Sequence, residues 1–284
     1  VVGGLMSRPR ATPERDIEES VITDFSEAIN SLYDQIGKAE STEHHLGGAD
    51  YEQVGITMSY GVLPDSGLKY KHEGKIIELA DNDYDGATWE SLKKAGVTTE
   101  NFKPENVITD DAVKDGIKRS DYSSDEEFTK ALLVKFENAL QKEVEAEGLN
   151  YDKIPKQAKK GLVSFAWNAR GHKYKQMEPA FKEIVKDSPD MKIIQTGMLQ
   201  TYTSKGIVKR GLAYRRATDY NDVSTALNKP TIKSYTPVKL DNGNAGIKFK
   251  FSDDTTLTDD TGKDYETKAS QADFKKHINK EFNI

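Results

Sequence analysis

The sequence predicts an α+β protein that is predominantly α-helical, with a small β-hairpin lobe, a helical lobe and a small C-terminal α/β appendage. Apolar residues recur every three or four positions through most of the chain, which is the period of an amphipathic helix. A glycine-punctuated stretch near residue 55 and a segment after Pro230 contain short strand-like runs instead. With 36% apolar residues, 10 Phe and 13 Tyr, the 284-residue chain can build a core.

The composition excludes several classes of protein. The chain has no cysteine, which excludes a disulfide scaffold, thiolate metal sites and a cysteine nucleophile. No apolar run approaches the ~20 residues that cross a bilayer, so we expect no membrane insertion. The chain starts Val-Val-Gly-Gly-Leu, without Met or a signal-peptide pattern. We therefore expect residues 1–11 to be a linker or the processed start of a piece of a longer protein.

The first predicted helix opens the main domain, which we expect over residues 12–228. Thr12 followed by Pro13 is typical of a helix start, with a capping hydroxyl before proline at the first helical position. The apolar face of this helix ends near Gly37 and consists of Ile17, Val21, Phe25, Ile29, Leu32 and Ile36.

Glycines and short apolar runs next predict the small β-hairpin lobe. Strand-like segments cover residues 54–60 and 70–79. An acidic, loop-rich segment follows over 81–125, in which we expect short helices at 87–95 and 109–118.

The helical lobe begins where Ser124 opens a strong amphipathic helix that runs to Gly148. Pro155 starts a helix that is apolar on most sides, as expected at the centre of a bundle. We expect the remaining helices over residues 176–186, 190–203 and 205–220.

Residues 229–284 form the predicted appendage. Residues 246–251 alternate like a strand, and residues 259–262 have a turn-like composition. A last amphipathic helix would carry Phe274, Ile278 and Phe282.

Charge is distributed unevenly along the chain, although the net charge is only −6. Residues 81–127 contain 13 acidic against 6 basic side chains, whereas residues 153–216 contain 15 basic against 4 acidic ones. A basic region within an acidic protein suggests an anionic polymer as partner, either nucleic acid or bacterial cell wall. A solvated helical surface is the alternative.

Two kinds of polar side chain surround the glycine-rich hairpin. Glu40 lies just past the end of the first helix, Thr57 lies on the hairpin, and Asp50 and Asp65 flank it. Glycosidic cleavage by inversion needs such a set, because one carboxylic acid protonates the leaving oxygen while a second group activates water. Such residues are also common on ordinary surfaces, so the spacing alone leaves both interpretations open.

Three motifs resemble those of the phage T4-type lysozymes and the pesticin-like muramidases. Gly55–Gly61 (GITMSYG) resembles the family's G-x-T-I-G-x-G hairpin. Gln157–Asn168 (QAKKGLVSFAWN) is similar to the family's central helix, and Gly206–Arg216 (GIVKRGLAYRR) to the G-L-x-x-R-R near the end of its domain. The motifs occur in the family's order across roughly residues 20–222.

The resemblance implies roles for the hairpin residues. Glu40 takes the place of the family's catalytic acid, with Glu43 as an alternative, and Thr57 takes the place of its hairpin threonine. The aspartate that holds the attacking water with Thr57 is Asp50 in the T4-type pattern or Asp65 in the pesticin-like pattern. The glycine two positions before Thr57 favours Asp65.

Further residues are candidates for the cleft. We expect Arg215 or Arg216 to reach toward Glu40 between the lobes, with a structural ion pair as an equal alternative. Asn168 would contact a sugar amide or cap its helix. Asp81–Gly86 matches half of a calcium loop but lacks its bidentate glutamate, so we expect no metal and no other cofactor.

The resemblance also implies a two-lobed lysozyme-like fold and a function. Enzymes of this family are N-acetylmuramidases that cut between N-acetylmuramic acid and N-acetylglucosamine in peptidoglycan. We expect a module of a phage virion that acts in the bacterial periplasm or cell wall, with peptidoglycan and other virion or tail proteins as partners and without nucleic acid. The alternatives are a lytic transglycosylase, since Glu40-Ser41 also resembles those enzymes, and a non-catalytic structural or wall-binding module.

Overall fold

The computed structural model describes residues 21–169, 174–199, 203–204, 207–262 and 264–265. These residues form a mixed α+β structure that is mostly α, which confirms the predicted class. The predicted linker, the helix start at Thr12 and the last helix with Phe274 lie outside this part of the chain.

Eight α-helices lie in the described part and contribute most of the core. Their bounds are α1 Glu27–Ala39, α2 Tyr51–Val54, α3 Ala87–Lys94, α4 Asp125–Ala146, α5 Lys156–Ala169, α6 Tyr174–Ile184, α7 Met191–Leu199 and α8 Arg210–Ala226. None of these helices has the length and apolar character that spanning a bilayer requires.

The strands are mostly short and form small sheets. Their bounds are β1 His45–Leu46, β2 Ile56–Thr57, β3 Lys69–His72, β4 Lys75–Glu78, β5 Val107–Ile108, β6 Val113–Lys114, β7 Ile117–Lys118, β8 Thr203–Ser204, β9 Ile207–Val208, β10 Ile232–Lys239, β11 Ala245–Phe251, β12 Thr256–Gly262 and β13 Asp264–Tyr265. The sheet orders are β1-β2, β4-β3-β5, β6-β7, β13-β9-β8 and β10-β11-β12, and every pair is antiparallel except β13 with β9.

Helix α1 begins later than the periodicity predicts. Its N-cap is Ser26, whose hydroxyl accepts a hydrogen bond from the backbone N–H of Ile29 at 3.2 Å. Val21, which we expected on the apolar face, is non-helical and 46% exposed. The predicted helix is therefore wrong over residues 21–26, because a local capping residue outweighs the continued apolar spacing.

The predicted helix over residues 109–118 is also wrong, because this segment contains the hairpin β6-β7. Asp115 and Gly116 at its tip both have positive φ, of 49° and 79°. An Asp-Gly pair in this conformation makes the tight turn that best matches the twist of two antiparallel strands.

Several other boundaries differ from the predictions. The strand expected over 54–60 is reduced to β2 and is flanked by α2 and a 3₁₀ turn at Ser59–Gly61. The described part of the helix expected over 190–203 is α7, Met191–Leu199, and Thr203 belongs to strand β8. The helix expected over 205–220 is α8, which runs from Arg210 to Ala226 and follows strand β9. The expected turn at 259–262 belongs to strand β12. The predictions of α3, α4, α5, the β3-β4 hairpin and β11 are confirmed.

Helix α8 lies at the centre of the described structure. It packs closely on α5, and the sheet β10-β11-β12 covers another side of it. Asn221 donates to the backbone oxygen of Ile232 at 3.0 Å and accepts from the same residue's N–H at 2.7 Å. Tyr220 meets Phe251 edge to face at 5.8 Å. The C-terminal sheet thus shares its core with α8.

The close approach of α5 to α8 depends on Gly161. A Cβ at this position would lie 2.6 Å from the backbone oxygen of Asp219. We expect Gly161→Ala to lower the free energy of unfolding by about 1–3 kcal/mol, because backbone atoms must move to admit the methyl group. Urea denaturation measures this change.

Gly211→Ala provides the matched control for that prediction. Gly211 is an exposed glycine of α8, and a Cβ there would meet nothing within 4 Å. Alanine is the better helix former, so this variant should be as stable as the wild type or slightly more stable. Equal effects of the two substitutions would contradict the close packing of α5 on α8.

Candidate active site

Glu40 lies at the C-terminal end of α1. The helix buries one apolar face, formed by Ile29, Leu32, Tyr33 and Ile36. Glu40 caps it with extended backbone angles (φ −104°, ψ 163°), and its N–H still donates to the carbonyl of Ile36 at 2.8 Å. The chain therefore leaves the helix at this residue, and a rigid element fixes the position of its carboxylate.

Arg215 of α8 is the arginine that meets Glu40. Its Nη1 forms an ion pair with Oε1 of Glu40. The Arg215 side chain is only 4% exposed, whereas that of Glu40 is 25% exposed and remains accessible from solvent. A second donor group, Nη2, lies 3.5 Å from the backbone oxygen of Ser164. Helices α5 and α8 thus hold a buried cation against the carboxylate.

Gly61 closes the other side of the Glu40 carboxylate. Its φ is +72°, and a Cβ at this position would lie 2.8 Å from Cδ of Glu40. Only glycine combines this backbone conformation with so close an approach. The hairpin turn that follows Thr57 therefore packs directly on the carboxyl group.

Thr57 and Asp50 belong to one loop beside this turn. Strands β1 and β2 pair His45 with Thr57, and the N–H of Gly47 donates to the carbonyl of Gly55 at 2.8 Å. Asp50 is exposed within the closed loop, and its N–H donates to the carbonyl of Gly47 at 3.0 Å. A Cβ on Gly47 would lie 3.6 Å from Oγ1 of Thr57. Asp50 and Thr57 therefore both lie next to Gly47.

Asp65 is engaged elsewhere. One carboxylate oxygen accepts from Nζ of Lys114 at 3.1 Å and the other from the backbone N–H of Asp115 at 2.9 Å. Both partners belong to the β6-β7 hairpin. Among the described residues, no hydrogen bond or ion pair joins Asp65 to Glu40 or Thr57. These contacts give Asp65 a structural role in holding two loops together.

Arg216 and Asn168 form a buried cluster behind the Glu40 ion pair. Nη2 of Arg216 donates to Oδ1 of Asn168, and Nη1 lies 3.5 Å from Oδ2 of Asp219. The guanidinium also stacks over the ring of Phe165, 4.3 Å from its centroid. The amide oxygen of Asn168 is therefore committed to Arg216, so this cluster orders the helical side of the site.

Burial dominates the electrostatics of that cluster. It raises the pKa of Asp219 to about 7, although the charges of Arg216 and Arg215 and a hydrogen bond from Ser164 pull it down. Burial likewise lowers the pKa of Arg216 to about 10, while Asp219 acts in the opposite direction. Burial therefore disfavours the charged form of both groups, as expected for an ion pair that is removed from water.

Sequence reasoning missed the role of His44, which lies directly before strand β1. Its Nδ1 accepts the backbone N–H of Ser59 at 3.0 Å, and its Nε2 lies 3.3 Å from Oδ2 of Asp125. Burial alone would raise the pKa of Asp125, but hydrogen bonds from His44, Arg119 and Thr109 outweigh it and hold that pKa well below its usual range. His44 thus links the hairpin turn to the start of α4, a contact that no local pattern indicates.

The described residues contain no group of three or more acidic or histidine side chains arranged to hold a metal ion. No protein-family model, no curated protein and no solved structure matches this chain. What indicates a function is therefore the set of residues at the site and the motifs that carry the family resemblance.

Proposed function

We propose that this chain is a peptidoglycan hydrolase, an N-acetylmuramidase that cleaves the β-1,4 bond between N-acetylmuramic acid and N-acetylglucosamine. One observation supports it above the others: the accessible Glu40 carboxylate meets both the buried cation of Arg215 and the backbone of Gly61. Gly61 ends the hairpin motif, and Arg215 belongs to the third motif of the lysozyme resemblance. Two motifs that are distant in sequence thus meet at the residue that the resemblance makes the acid.

The arrangement of elements is consistent with a two-lobed, lysozyme-like fold. Glu40 stands where α1 ends and the strand-rich segment from β1 to β7 begins. Helices α4 to α8 follow that segment and supply Arg215. A cleft between these two groups of elements would admit a glycan strand next to the carboxylate, as it does in the enzymes that the sequence resembles.

The proposed reaction uses two carboxylates. Glu40, in its acid form, donates its proton to the glycosidic oxygen as the bond from the anomeric carbon to that oxygen breaks. Asp50 accepts a proton from water as the water oxygen bonds to the anomeric carbon from the opposite face, and the hydroxyl of Thr57 helps to hold that water. We prefer Asp50 to Asp65 because Asp50 shares its loop with Thr57, whereas Asp65 binds Lys114.

The products formed from purified peptidoglycan test this proposal. We expect muropeptides with reducing ends, identified by mass spectrometry after digestion with the full chain. Products that carry only anhydro-muramic ends would show a lytic transglycosylase instead. Binding to the wall without any product would overturn catalysis and favour the non-catalytic module.

We further propose that the protein is part of a phage virion and opens the cell wall during infection. The basic region over residues 153–216 supports an anionic wall polymer as its partner. Antibodies against the chain should then label purified virions, and virions should contain the wall-degrading activity.

Substitution of each aspartate by asparagine distinguishes the two candidates for the base. We expect Asp50→Asn to lower the hydrolysis rate by about 10²–10⁴-fold, since it removes the base that activates water. Asp65→Asn should keep most of the activity and lower the free energy of unfolding by about 1 kcal/mol or less, because it weakens a half-exposed ion pair with Lys114. Rates on soluble glycan strands and urea denaturation measure the two effects. The reverse assignment of activity loss would make Asp65 the base.

Activity should also be sensitive to substitution of Gly61. We expect Gly61→Ala to lower the hydrolysis rate at least about tenfold, because its methyl group would displace the carboxyl carbon of Glu40. Gly74→Ala is the matched control: Gly74 has a similar φ of +78°, but a Cβ there meets nothing within 4 Å. Both variants bear the same backbone strain of about 1 kcal/mol, so a difference in rate reports on the displaced carboxylate. Equal hydrolysis rates of Gly61→Ala and Gly74→Ala would show that catalysis does not depend on the position of the Glu40 carboxylate.

A further inference from the structure

Tyr60 lies in a backbone conformation that non-glycine residues rarely adopt. Its angles are φ 63° and ψ 21°, in the left-handed region, although the residue is aromatic and lies beside Gly61. Such a conformation persists only where the surroundings determine it, and it is concentrated at functional sites.

Three other parts of the chain hold Tyr60. Its N–H donates to the carbonyl of Ser41 at 2.7 Å, directly after Glu40. Its carbonyl accepts from Nε1 of Trp167 on α5 at 3.1 Å. Its ring stacks on Tyr33 of α1, with centroids 4.0 Å apart and planes 13° apart. The backbone and the ring are thus fixed independently of each other.

The ring of Tyr60 also requires a glycine in α1. A Cβ on Gly37 would lie 2.8 Å from Cε1 of Tyr60, so the helix leaves space for the ring only because it has no side chain there. Burial, together with a hydrogen bond with the Tyr60 side chain, raises the pKa of Tyr33 well above its usual range. The phenol of Tyr33 therefore stays neutral where it stacks on the ring of Tyr60.

These contacts fix the position of the next residue, Gly61, whose backbone packs on the Glu40 carboxylate. A change in the dihedral angles of Tyr60 would swing Gly61 toward or away from that group. We infer that Tyr60, held by the indole N–H of Trp167, is a positioning residue that fixes the catalytic carboxylate of Glu40 for the reaction. This inference rests on the proposed function, and it assigns Trp167 a role that simple core packing would not give it.

Trp167→Phe tests the inference, because it removes the indole donor and keeps an aromatic ring. We expect kcat on soluble peptidoglycan strands to fall about tenfold, with KM changed less than about twofold, since the carboxylate is misplaced while the sugar contacts remain. Trp89→Phe is the matched control. Trp89 is similarly buried but packs on Tyr51 in the hairpin lobe. The Trp89→Phe variant should therefore retain the kcat of the wild type.

Amide hydrogen exchange supplies a readout that does not depend on activity. In Trp167→Phe the amide of Tyr60 should exchange at least about tenfold faster, while the amide of Glu40, bonded to Ile36, stays protected. Faster exchange at Tyr60 together with lower kcat supports the inference. Unchanged exchange, or a kcat that falls equally in Trp89→Phe, overturns it.

The same measurements separate this inference from the proposed function. An inactive wild-type protein would refute the hydrolase, whatever the exchange data show, and with it the role of Tyr60 in a reaction. An active wild type whose Trp167→Phe variant keeps full kcat would refute only the role of Tyr60. An active wild type with a rise in KM and an unchanged kcat would also refute it, because Trp167 would then act in binding.

Discussion

Replacing Glu40 by glutamine should reduce the release of muropeptides by about 10²–10⁴-fold, the share that a general acid contributes to such reactions. Glutamine keeps the size of the side chain and an oxygen that can accept from Arg215, but it has no proton to give to the leaving oxygen. The ion pair with Arg215 becomes a hydrogen bond from a buried cation to a neutral group. A turbidity assay on cell walls and product analysis on soluble strands measure the loss.

The stability of Glu40→Gln must be measured beside its activity. Arg215 is almost completely buried, and the loss of a charged partner costs about 1–3 kcal/mol. Thermal unfolding followed by circular dichroism shows whether the variant remains folded at the assay temperature. The fold should survive this change, because the apolar contacts of α1 do not involve the carboxylate.

Glu43→Gln is the control for this prediction. Glu43 lies in the same loop and was the alternative acid, but its side chain is exposed. Within the described part of the chain, only its backbone takes part in hydrogen bonds, with Ser41 and His45. We expect its activity to equal that of the wild type. If Glu43→Gln were inactive and Glu40→Gln cleared cell walls normally, the catalytic acid would be Glu43.

Elements with a local signal could be predicted from the sequence. Helix α4 begins where a serine can cap it, and Ser124 does accept from the N–H of Glu127 at 3.2 Å. The helix predicted around Asp115 was wrong for a reason that is also local. The apolar spacing of this segment is compatible with a short helix, but its Asp-Gly turn determines the conformation. Short segments give few apolar positions to count, so one turn residue outweighs the period.

The contacts of the candidate site, by contrast, could not be predicted from local sequence signals. Glu40 and Arg215 are 175 residues apart, so only the resemblance, and no spacing rule, suggested that an arginine would reach Glu40. Asp65 had a favourable position in the motif, but its partners Lys114 and Asp115 come from a hairpin that we had predicted as a helix. The position of a carboxylate in a motif does not show which cation will bind it, because the cation is brought there by the packing of distant loops.

The buried cluster behind Glu40 should produce the largest change in stability. Arg216 is 1% exposed and contacts Asp219, Asn168 and the ring of Phe165. Arg216→Met removes one member of a buried ion pair, which costs about 3–5 kcal/mol because the remaining charge has lost its partner. We expect this full cost at pH 9 and a smaller one at pH 5.

The pH dependence follows from the raised pKa of Asp219. A carboxyl whose pKa is about 7 in the folded protein, against about 3.9 when unfolded, stabilises the fold fully below pH 4. That contribution is lost as the pH rises through 7, because the folded state must then release the proton that it binds more tightly. Without Arg216 the pKa of Asp219 rises further, so the variant continues to lose stability above pH 7 where the wild type no longer does. The difference between the two proteins therefore grows from pH 7 to pH 9.

Urea denaturation at pH 5, 7 and 9 measures this difference, and Arg119→Met supplies the contrast. Arg119 pairs with Asp125 at 2.5 Å, and the pKa of Asp125 is lowered rather than raised. The stabilising effect of that carboxylate is present at neutral pH and is lost only as the pH falls below about 4. Ionisation of Asp125 should therefore add no pH dependence to the cost of Arg119→Met between pH 5 and pH 9.

Asp219→Asn isolates the charge that causes the effect. Asparagine fills the same space but cannot ionise, so Arg216→Met made in this background should cost the same free energy at all three pH values. What remains is the loss of packing on Phe165 and of the bond to Asn168. If the cost of Arg216→Met rose with pH even when residue 219 cannot ionise, another buried group would be responsible. If it failed to rise in the presence of Asp219, the carboxyl would already be fully ionised or fully protonated across this range, and the electrostatic account of the cluster would be wrong.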